Sequence, residues 1–355
     1  KQALEYGIEL LNKNNIESPN LKARMLLANI LNKNKECLHK DPIYIEKDGE
    51  WYKYTRDINS IDTLEIGEKI DEKEKIENIV KYLENLDVIF PVLHGLDGED
   101  GSIQGLFEVI KKPYVGCGIL ASSIGLDKIY TKAIWEKAGL SQVKYEYVKK
   151  NGEIYTYIDK QFNEKKGTLE EIANIIDAKL KYPMFVKPSN FGSSVGITKA
   201  KNKNELLNSI EYAGTFDKKI VIEEGKNVRE IECAVLGCED VIASGVGEIL
   251  PAEEFYSFDA KYKNEDSKVD IPANIPENMK KKIKEMAVKA FKTISGKGLS
   301  RVDFFIDKET NEIYINEINT LPGFTKISMY PKLWEYEGVK YTELLDKLIN
   351  LAMQK

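Results

Sequence analysis

Residues 301–319 read Arg301-Val302-Asp303-Phe304-Phe305-Ile306-Asp307, then Lys308-Glu309-Thr310-Asn311-Glu312, then Ile313-Tyr314-Ile315-Asn316-Glu317-Ile318-Asn319. Two apolar arms flank a polar five-residue stretch, which predicts an antiparallel hairpin. With Thr310 at the centre of the turn, Asp303 falls opposite Glu317 and Arg301 opposite Asn319. Strand side chains alternate between faces, so all four share one face. Two carboxylates, an amide oxygen and a guanidinium then lie side by side. Hard oxygen ligands gathered in this way suit magnesium, usually held by one or two carboxylates plus substrate phosphates. The competing reading is a solvated hairpin face with unrelated charges, and the depletion of aspartate in strands weighs against it.

Upstream, Met184-Phe185-Val186-Lys187 reads as an apolar strand ending in a lysine. The loop after it, Pro188 to Gly196, contains two glycines and three serines. Glycines let backbone N–H groups approach a phosphate, and serine hydroxyls add donors. No Gly-Lys-Ser/Thr is present there, so this is not a Walker A loop. Alone, such a loop is more often an ordinary flexible turn. Placed before the carboxylate hairpin, it reads as a phosphate lid over a magnesium site. Lys128, opening a helix after Asp127, is a second candidate phosphate contact, against its default as a surface lysine. Glu223 and Glu224 end another apolar strand and could accept from an adenine amino group or a ribose, against a solvated strand end.

Further out the pattern is that of an α/β protein. Ile43-Tyr44-Ile45 and Trp51-Tyr52 flank Lys47-Asp48-Gly49, a hairpin signal. A charged helix is expected at about 72–86, and Val88 to Leu93 suits a buried parallel strand. Helices are expected from Asp127 to Ala138 and at about 168–180, and strands at about 219–224, 229–237 and 241–248. A loop rich in aromatic and charged residues spans roughly 251–270. A long helix follows, with Pro276 in its first turn, Met279, Ile283, Met286, Ala290, Phe291 and Ile294 on its apolar face, and Gly296 as its stop. One last helix is expected after the Pro-Gly turn at 322–323.

The 355 residues suit two or three packed domains. No apolar run reaches membrane-spanning length and no signal pattern opens the chain, so a cytoplasmic location is expected. The four cysteines form no CxxC pair and only His39 and His94 are present, which argues against structural zinc. A net charge of -6 argues against nucleic acid as the main partner.

Together these motifs resemble the D-alanine–D-alanine ligase family from about Pro42 onward. Leu93-His94-Gly95 with Gly98-Glu99-Asp100-Gly101-Ser102-Ile103-Gln104-Gly105 is similar to the family's first signature. Lys187 to Gly196 and Arg301 to Gly323 are similar to its later ones. The resemblance implies a three-domain α+β ATP-grasp ligase, divided here as a remainder of an N-terminal domain (41–120), a central domain (121–226) and a C-terminal domain (227–355). It implies ATP on Lys128, Lys187, Ser194, Glu223, Glu224, Glu230 and Lys261, and two magnesium ions, with manganese as a substitute, on Asp303, Glu317 and Asn319. Ser193 and Tyr262 would join the active-site network, and Arg301 and the Gly323 amide would stabilise an oxyanion. His94, Glu99, Ser328 and Met329 would lie on the amino-acid side. The implied reaction joins two D-alanines through an acyl phosphate, supplying a peptidoglycan precursor, with a homodimer as a possible assembly. Relatives that accept D-lactate carry a histidine in the loop of Tyr262; this chain has none there, so D-alanine is expected as second substrate, before D-serine.

Residues 1–40 depart from that pattern. The family's opening strand, its glycine loop and the glutamate that binds the first D-alanine's amine are not found before Pro42. Leu4, Ile8 and Leu11, then Ala23, Leu26, Leu27, Ile30 and Leu31, predict two amphipathic helices. They resemble the N-terminal helices of release-factor glutamine methyltransferases. Any amphipathic pair would look similar. The chain contains no Pro-Pro, so the substrate loop of those enzymes is missing. A nucleotide-binding chimera without efficient ligation is therefore a second reading of the whole.

Overall fold

The computed structural model describes residues 43–45, 49–54, 73–192, 195–250, 268–324 and 328–354. Ile43–Ile45 (β1) and Trp51–Tyr54 (β2) pair antiparallel, Ile45 opposite Trp51, as the hairpin signal predicts. Lys73–Lys75 (β3) pairs with the other edge of β2. The charged stretch at 72–86 is therefore not one helix: α1 covers only Ile79–Glu84. Asn78 sets its start by accepting the Lys81 N–H at 3.0 Å, an N-cap. Val88 to Leu93 also differs from expectation. It makes one isolated parallel bridge, Ile89 with Tyr114, because Pro91 has no N–H to give a ladder. Phe90 and Val92 are buried all the same.

Helix α2 (Ser102–Val109) leads to α3 (Ile119–Leu126) and α4 (Lys128–Lys137). Asp127 ends α3 and caps α4, accepting the Ile129 N–H at 3.1 Å. Next come Tyr145–Asn151 (β4), Ile154–Ile158 (β5), Glu164–Gly167 (β6), helix α5 (Leu169–Asp177), Met184–Pro188 (β7), Thr198–Ala200 (β8), helix α6 (Lys203–Phe216) and Lys219–Glu224 (β9). The strands form one antiparallel sheet in the order β6-β5-β4-β9-β7-β8. Met184, Val186, Ile220 and Ile222 pack one face against Ile172, Ile176, Leu206 and Ile210 of α5 and α6. Thr168 and Glu171 start α5 with a reciprocal capping box. The opposite face presents Tyr145, Tyr147 and Val221 to Ile129 of α4, and β9 brings Glu223 onto that face.

The second large sheet has the order β12-β11-β10-β13-β14, from Val228–Gly237 (β10), Ile242–Leu250 (β11), Lys268–Asp270 (β12), Gly298–Asp307 (β13) and Ile313–Asn319 (β14). The end of the expected loop 251–270 is thus a strand, paired with β11. Helix α7 (Glu277–Thr293) covers one face, where Ile283, Ala287, Ala290 and Phe291 meet Ile231, Cys233, Val302 and Phe304. Full burial of each Ile, Val or Phe among them contributes about 1.5–3 kcal/mol. Pro276 stands at the N-cap position, and the residue in left-handed conformation past the helix is Ser295 (φ 60°). Gly296, expected as the stop, is small for another reason: a Cβ there would lie 2.4 Å from the Phe291 ring. The chain closes with two helices rather than one, α8 (Met329–Tyr336) and α9 (Tyr341–Met353). They cover one end of the sheet's other face, against Ala234, Leu236 and Leu299. The uncovered end of that face carries the polar side chains of the hairpin.

Candidate functional site

On β13 and β14, Asp303 stands opposite Glu317 and Arg301 opposite Asn319, the pairs expected from the sequence. The route to them is different. Near the turn the partners are Ile306 with Ile313, Phe305 with Tyr314 and Phe304 with Ile315, and the register then shifts before Asp303. Asn316 is the extra residue, a β-bulge. Were the same residues paired without that shift, Asp303 would face Asn316, and Glu317 would turn to the apolar side. Asn319 Nδ2 donates to Asp303 Oδ2 at 3.1 Å. Among the described residues no three His, Cys, Asp or Glu side chains are gathered for a metal. The available donors are two carboxylates and an amide, an all-oxygen set that fits a hard cation such as magnesium.

Arg301 lies along this face and binds Asp303 through both arms, Nε to Oδ1 at 2.7 Å and Nη2 to Oδ2 at 2.6 Å. A residue missed in the sequence completes the arrangement. Glu232, on β10 directly opposite Asp303, places Oε2 3.1 Å from Arg301 Nε. Burial works against the guanidinium charge, but Asp303 and Glu232 outweigh it and hold Arg301 well above its ordinary pKa. Glu230 is two residues earlier on β10 and on the same face. The alternation Glu230-Ile231-Glu232-Cys233 is the signal that could have found Glu232.

The facing sheet offers the reverse arrangement. Glu223, 2% exposed, takes Lys187 Nζ at 2.5 Å and Lys132 Nζ at 2.7 Å. Burial alone would lift this carboxyl, but the two ammonium groups hold it at about 2. Lys132 was also missed in the sequence. It lies one helical turn after Lys128 on α4 and is 1% exposed, and burial lowers its pKa despite Glu223. Glu317, on β14 of the other sheet, is among the charges that raise Lys132, so its field reaches this cluster. Glu224 instead accepts the backbone N–H of Lys181 at 3.1 Å.

Lys128 Nζ donates to the Phe191 carbonyl at 2.7 Å, tying α4 to the glycine loop. Asp127 adds a second tie by accepting Ser189 Oγ at 2.7 Å and pairing with Lys219. Ser193, Ser194, Lys261 and Tyr262 lie outside the described residues. Glu99 accepts the Gly95 N–H at 2.6 Å, and burial lifts its carboxyl to about 7 although Arg301 and Lys128 oppose the rise. Burial lowers His94 to about 4 while its ring bonds the Leu321 backbone, so it is neutral at pH 7. Gly323 lies against Ser328: a Cβ would come 2.9 Å from Ser328 Oγ. Met329 is buried at 5% exposure, and a Cβ on Gly247 would meet its sulfur at 2.7 Å. It is therefore a core side chain next to the expected substrate side.

Two antiparallel sheets with opposed ion-pair clusters in a shared polar space have the architecture of the ATP-grasp class. The VanG D-Ala:D-Ser ligase from Enterococcus faecalis superposes with a TM-score of 0.78 at 34% identity, covering 94% of each chain. The D-alanine–D-alanine ligase from Coxiella burnetii gives 0.74 at 28%, covering 94% of this chain and 89% of that one. Family models described as D-ala D-ala ligase N-terminus and C-terminus match residues 21–117 and 134–350. The D-alanine–D-alanine ligase of Acetivibrio thermocellus is 47% identical over 96% of this chain and 93% of its own length. The D-alanine–D-alanine ligase B of Clostridium tetani is 50% identical over 92% and 87%. The chain belongs to the D-alanine–D-alanine ligase family. The match to the family's N-terminal model begins at residue 21, upstream of Pro42 and inside the segment expected to form two helices, which lies outside the described residues.

Proposed function

We propose that this chain uses ATP to join two D-alanines into D-alanyl-D-alanine, a peptidoglycan precursor. The observation that carries the reading is Asp303 set opposite Glu317 with Arg301 and Asn319 beside them, facing the Lys187–Glu223 cluster of the other sheet. The first carboxylate attacks the γ-phosphate to give an acyl phosphate and ADP. Lys128 and Lys187 hold the phosphates, with Ser194 and Lys261 beside them, while Glu223, Glu224 and Glu230 receive adenine and ribose. Asp303, Glu317 and Asn319 are the residues that would hold divalent cations, two in the full site, and such ions offset charge on a transferring phosphoryl group. The free amine of the second amino acid then attacks the acyl carbon, and the tetrahedral adduct breaks its C–O bond to phosphate, releasing inorganic phosphate and the amine proton. Arg301 and the Gly323 amide stabilise the oxyanion, and donors already aimed at such an atom contribute about 3–4 kcal/mol each. Ser193 and Tyr262 belong to this network. His94 and Glu99 lie on the first amino acid's side, and Ser328 and Met329 on that of the second.

Neutral His94 and Glu99, whose carboxyl is lifted to about 7, support an amino-acid side with little fixed charge of its own. The division at about 121 and 227 into N-terminal, central and C-terminal domains, and a cytoplasmic site of action, belong to the same reading. Among the described residues no helix is long and apolar enough to cross a membrane. For the head, the helical pattern of residues 3–27 supports a methyltransferase-like origin. A missing charged partner for the first D-alanine's amine would weaken its binding by about 1.5–3 kcal/mol.

A coupled ADP-release assay on D-alanine, D-serine and D-lactate tests the function. D-alanine-dependent release with dipeptide formation, and lower rates on D-serine, is the expected result. ADP release indifferent to D-alanine would replace the ligase with a nucleotide-binding chimera.

A further inference from the structure

Arg301 Nε carries a single hydrogen, and two carboxylates stand around it. Asp303 Oδ1 receives that hydrogen at 2.7 Å, while Glu232 Oε2 lies 3.1 Å from the same nitrogen. Asp303 spends both oxygens on the guanidinium, one on Nε and one on Nη2. A carboxylate used in this way cannot turn the same lone pairs to a cation. Asp303, however, shares its face with Glu317 and Asn319, the other two donors of the oxygen set. In the ligand-free arrangement Arg301 therefore competes with a cation for Asp303, and a second acceptor for Arg301 eases that competition. Glu232 fills that place: it is directly across the β10–β13 ladder from Asp303, 9% exposed, and anchored in the middle of a ten-residue strand.

We propose that Glu232 is a positioning residue that takes the Arg301 Nε–H over from Asp303, freeing Asp303 Oδ1 for the divalent cation and holding Arg301 beside the reacting carbonyl. The inference rests on the ligase reading above. A buried guanidinium released with no second carboxylate would be an uncompensated charge, which is strongly unfavourable. With Glu232 present the Nε–H can pass from Asp303 Oδ1 to a second carboxylate, while Nη2 keeps its bond to Oδ2. Charge is conserved at every point of the exchange.

The test compares wild type, Glu232→Gln, Glu232→Asp, and the double variant Glu232→Gln with Arg301→Met. Binding of Mn2+ in the presence of ADP is followed by electron paramagnetic resonance, alongside kcat and the KM for ATP. Glu232→Gln should weaken Mn2+ binding about fivefold and lower kcat about tenfold, with the KM for ATP within about twofold of wild type. Glu232→Asp should recover most of the Mn2+ affinity. The double variant should bind Mn2+ at least as tightly as wild type, since the competitor for Asp303 is gone, while remaining poor in turnover. Wild-type Mn2+ affinity in Glu232→Gln, or no recovery in the double variant, overturns the proposal. Wild-type turnover without D-alanine dependence would overturn the ligase reading instead, and the Mn2+ comparison would still report on the exchange.

Discussion

The two ion-pair clusters are mirror images in charge. At the end of β9 one carboxylate, Glu223, is held by two ammonium groups, Lys132 and Lys187. On β13 one guanidinium, Arg301, is held by two carboxylates, Asp303 and Glu232. Each cluster pairs a residue assigned to ligand binding with a buried companion that has no such assignment. The companions differ in what they support. Lys132 is enclosed between α4 and β9, so it keeps Glu223 ionised whatever Lys187 does. Glu232 competes with Asp303 for one hydrogen, so its role is exercised only when Asp303 turns away. One cluster is built for permanence and the other for exchange.

Substitutions at the two clusters should therefore fail differently. Asp303→Ala should have the largest effect, lowering turnover by about three orders of magnitude, roughly 4 kcal/mol, with the fold intact by circular dichroism. Turnover within tenfold of wild type would remove Asp303 from the site. Lys132→Met should act chiefly on stability, at about 3 kcal/mol, because it strips a buried carboxylate of one partner; chemical denaturation reads this directly. Lys187→Met leaves Lys132 in place, so it should cost only about 1 kcal/mol of stability while raising the KM for ATP about tenfold. Equal stability losses for the two lysines would erase the distinction drawn between them. The last comparison is in pH. Glu223 is depressed to about 2, so its ionisation stabilises the fold fully above its ordinary value near 4.5. That contribution is lost as pH falls from about 4.5 toward 2. Acid unfolding of Glu223→Gln should show a shallower slope in that window, and an unchanged slope would move the acid sensitivity elsewhere.

Much of this was legible in the chain. The alternation of the hairpin arms set the four polar residues on one face, and Asp127 announced the start of α4. The bulge was legible too, though the expectation centred on Thr310 passed over it. Ile313, Ile315 and Ile318 are spaced two and then three apart, which an unbroken strand would not show. Lys132 and Glu232 were harder to see, because a lysine on a helix and a glutamate on a strand are ordinary surface residues until a second sheet covers them. Their signals were the Lys128–Lys132 spacing of one turn and the acidic alternation in β10. The charged run at 72–86 misled because its first residues found a strand edge on β2, a tertiary partner that helical propensity does not weigh.

The extra residue at Asn316 makes the chemistry of this face a question of parity. Removing that one codon would leave composition, net charge and the apolar pattern of both arms almost untouched. It would also bring Glu317 directly after Ile315, so Asp303 would keep Glu317, and Arg301 would keep Asn319, in an unbroken ladder. The bulge thus absorbs one surplus residue while both carboxylates still reach the same face, and what such a deletion would remove is the extra local twist rather than the donor set.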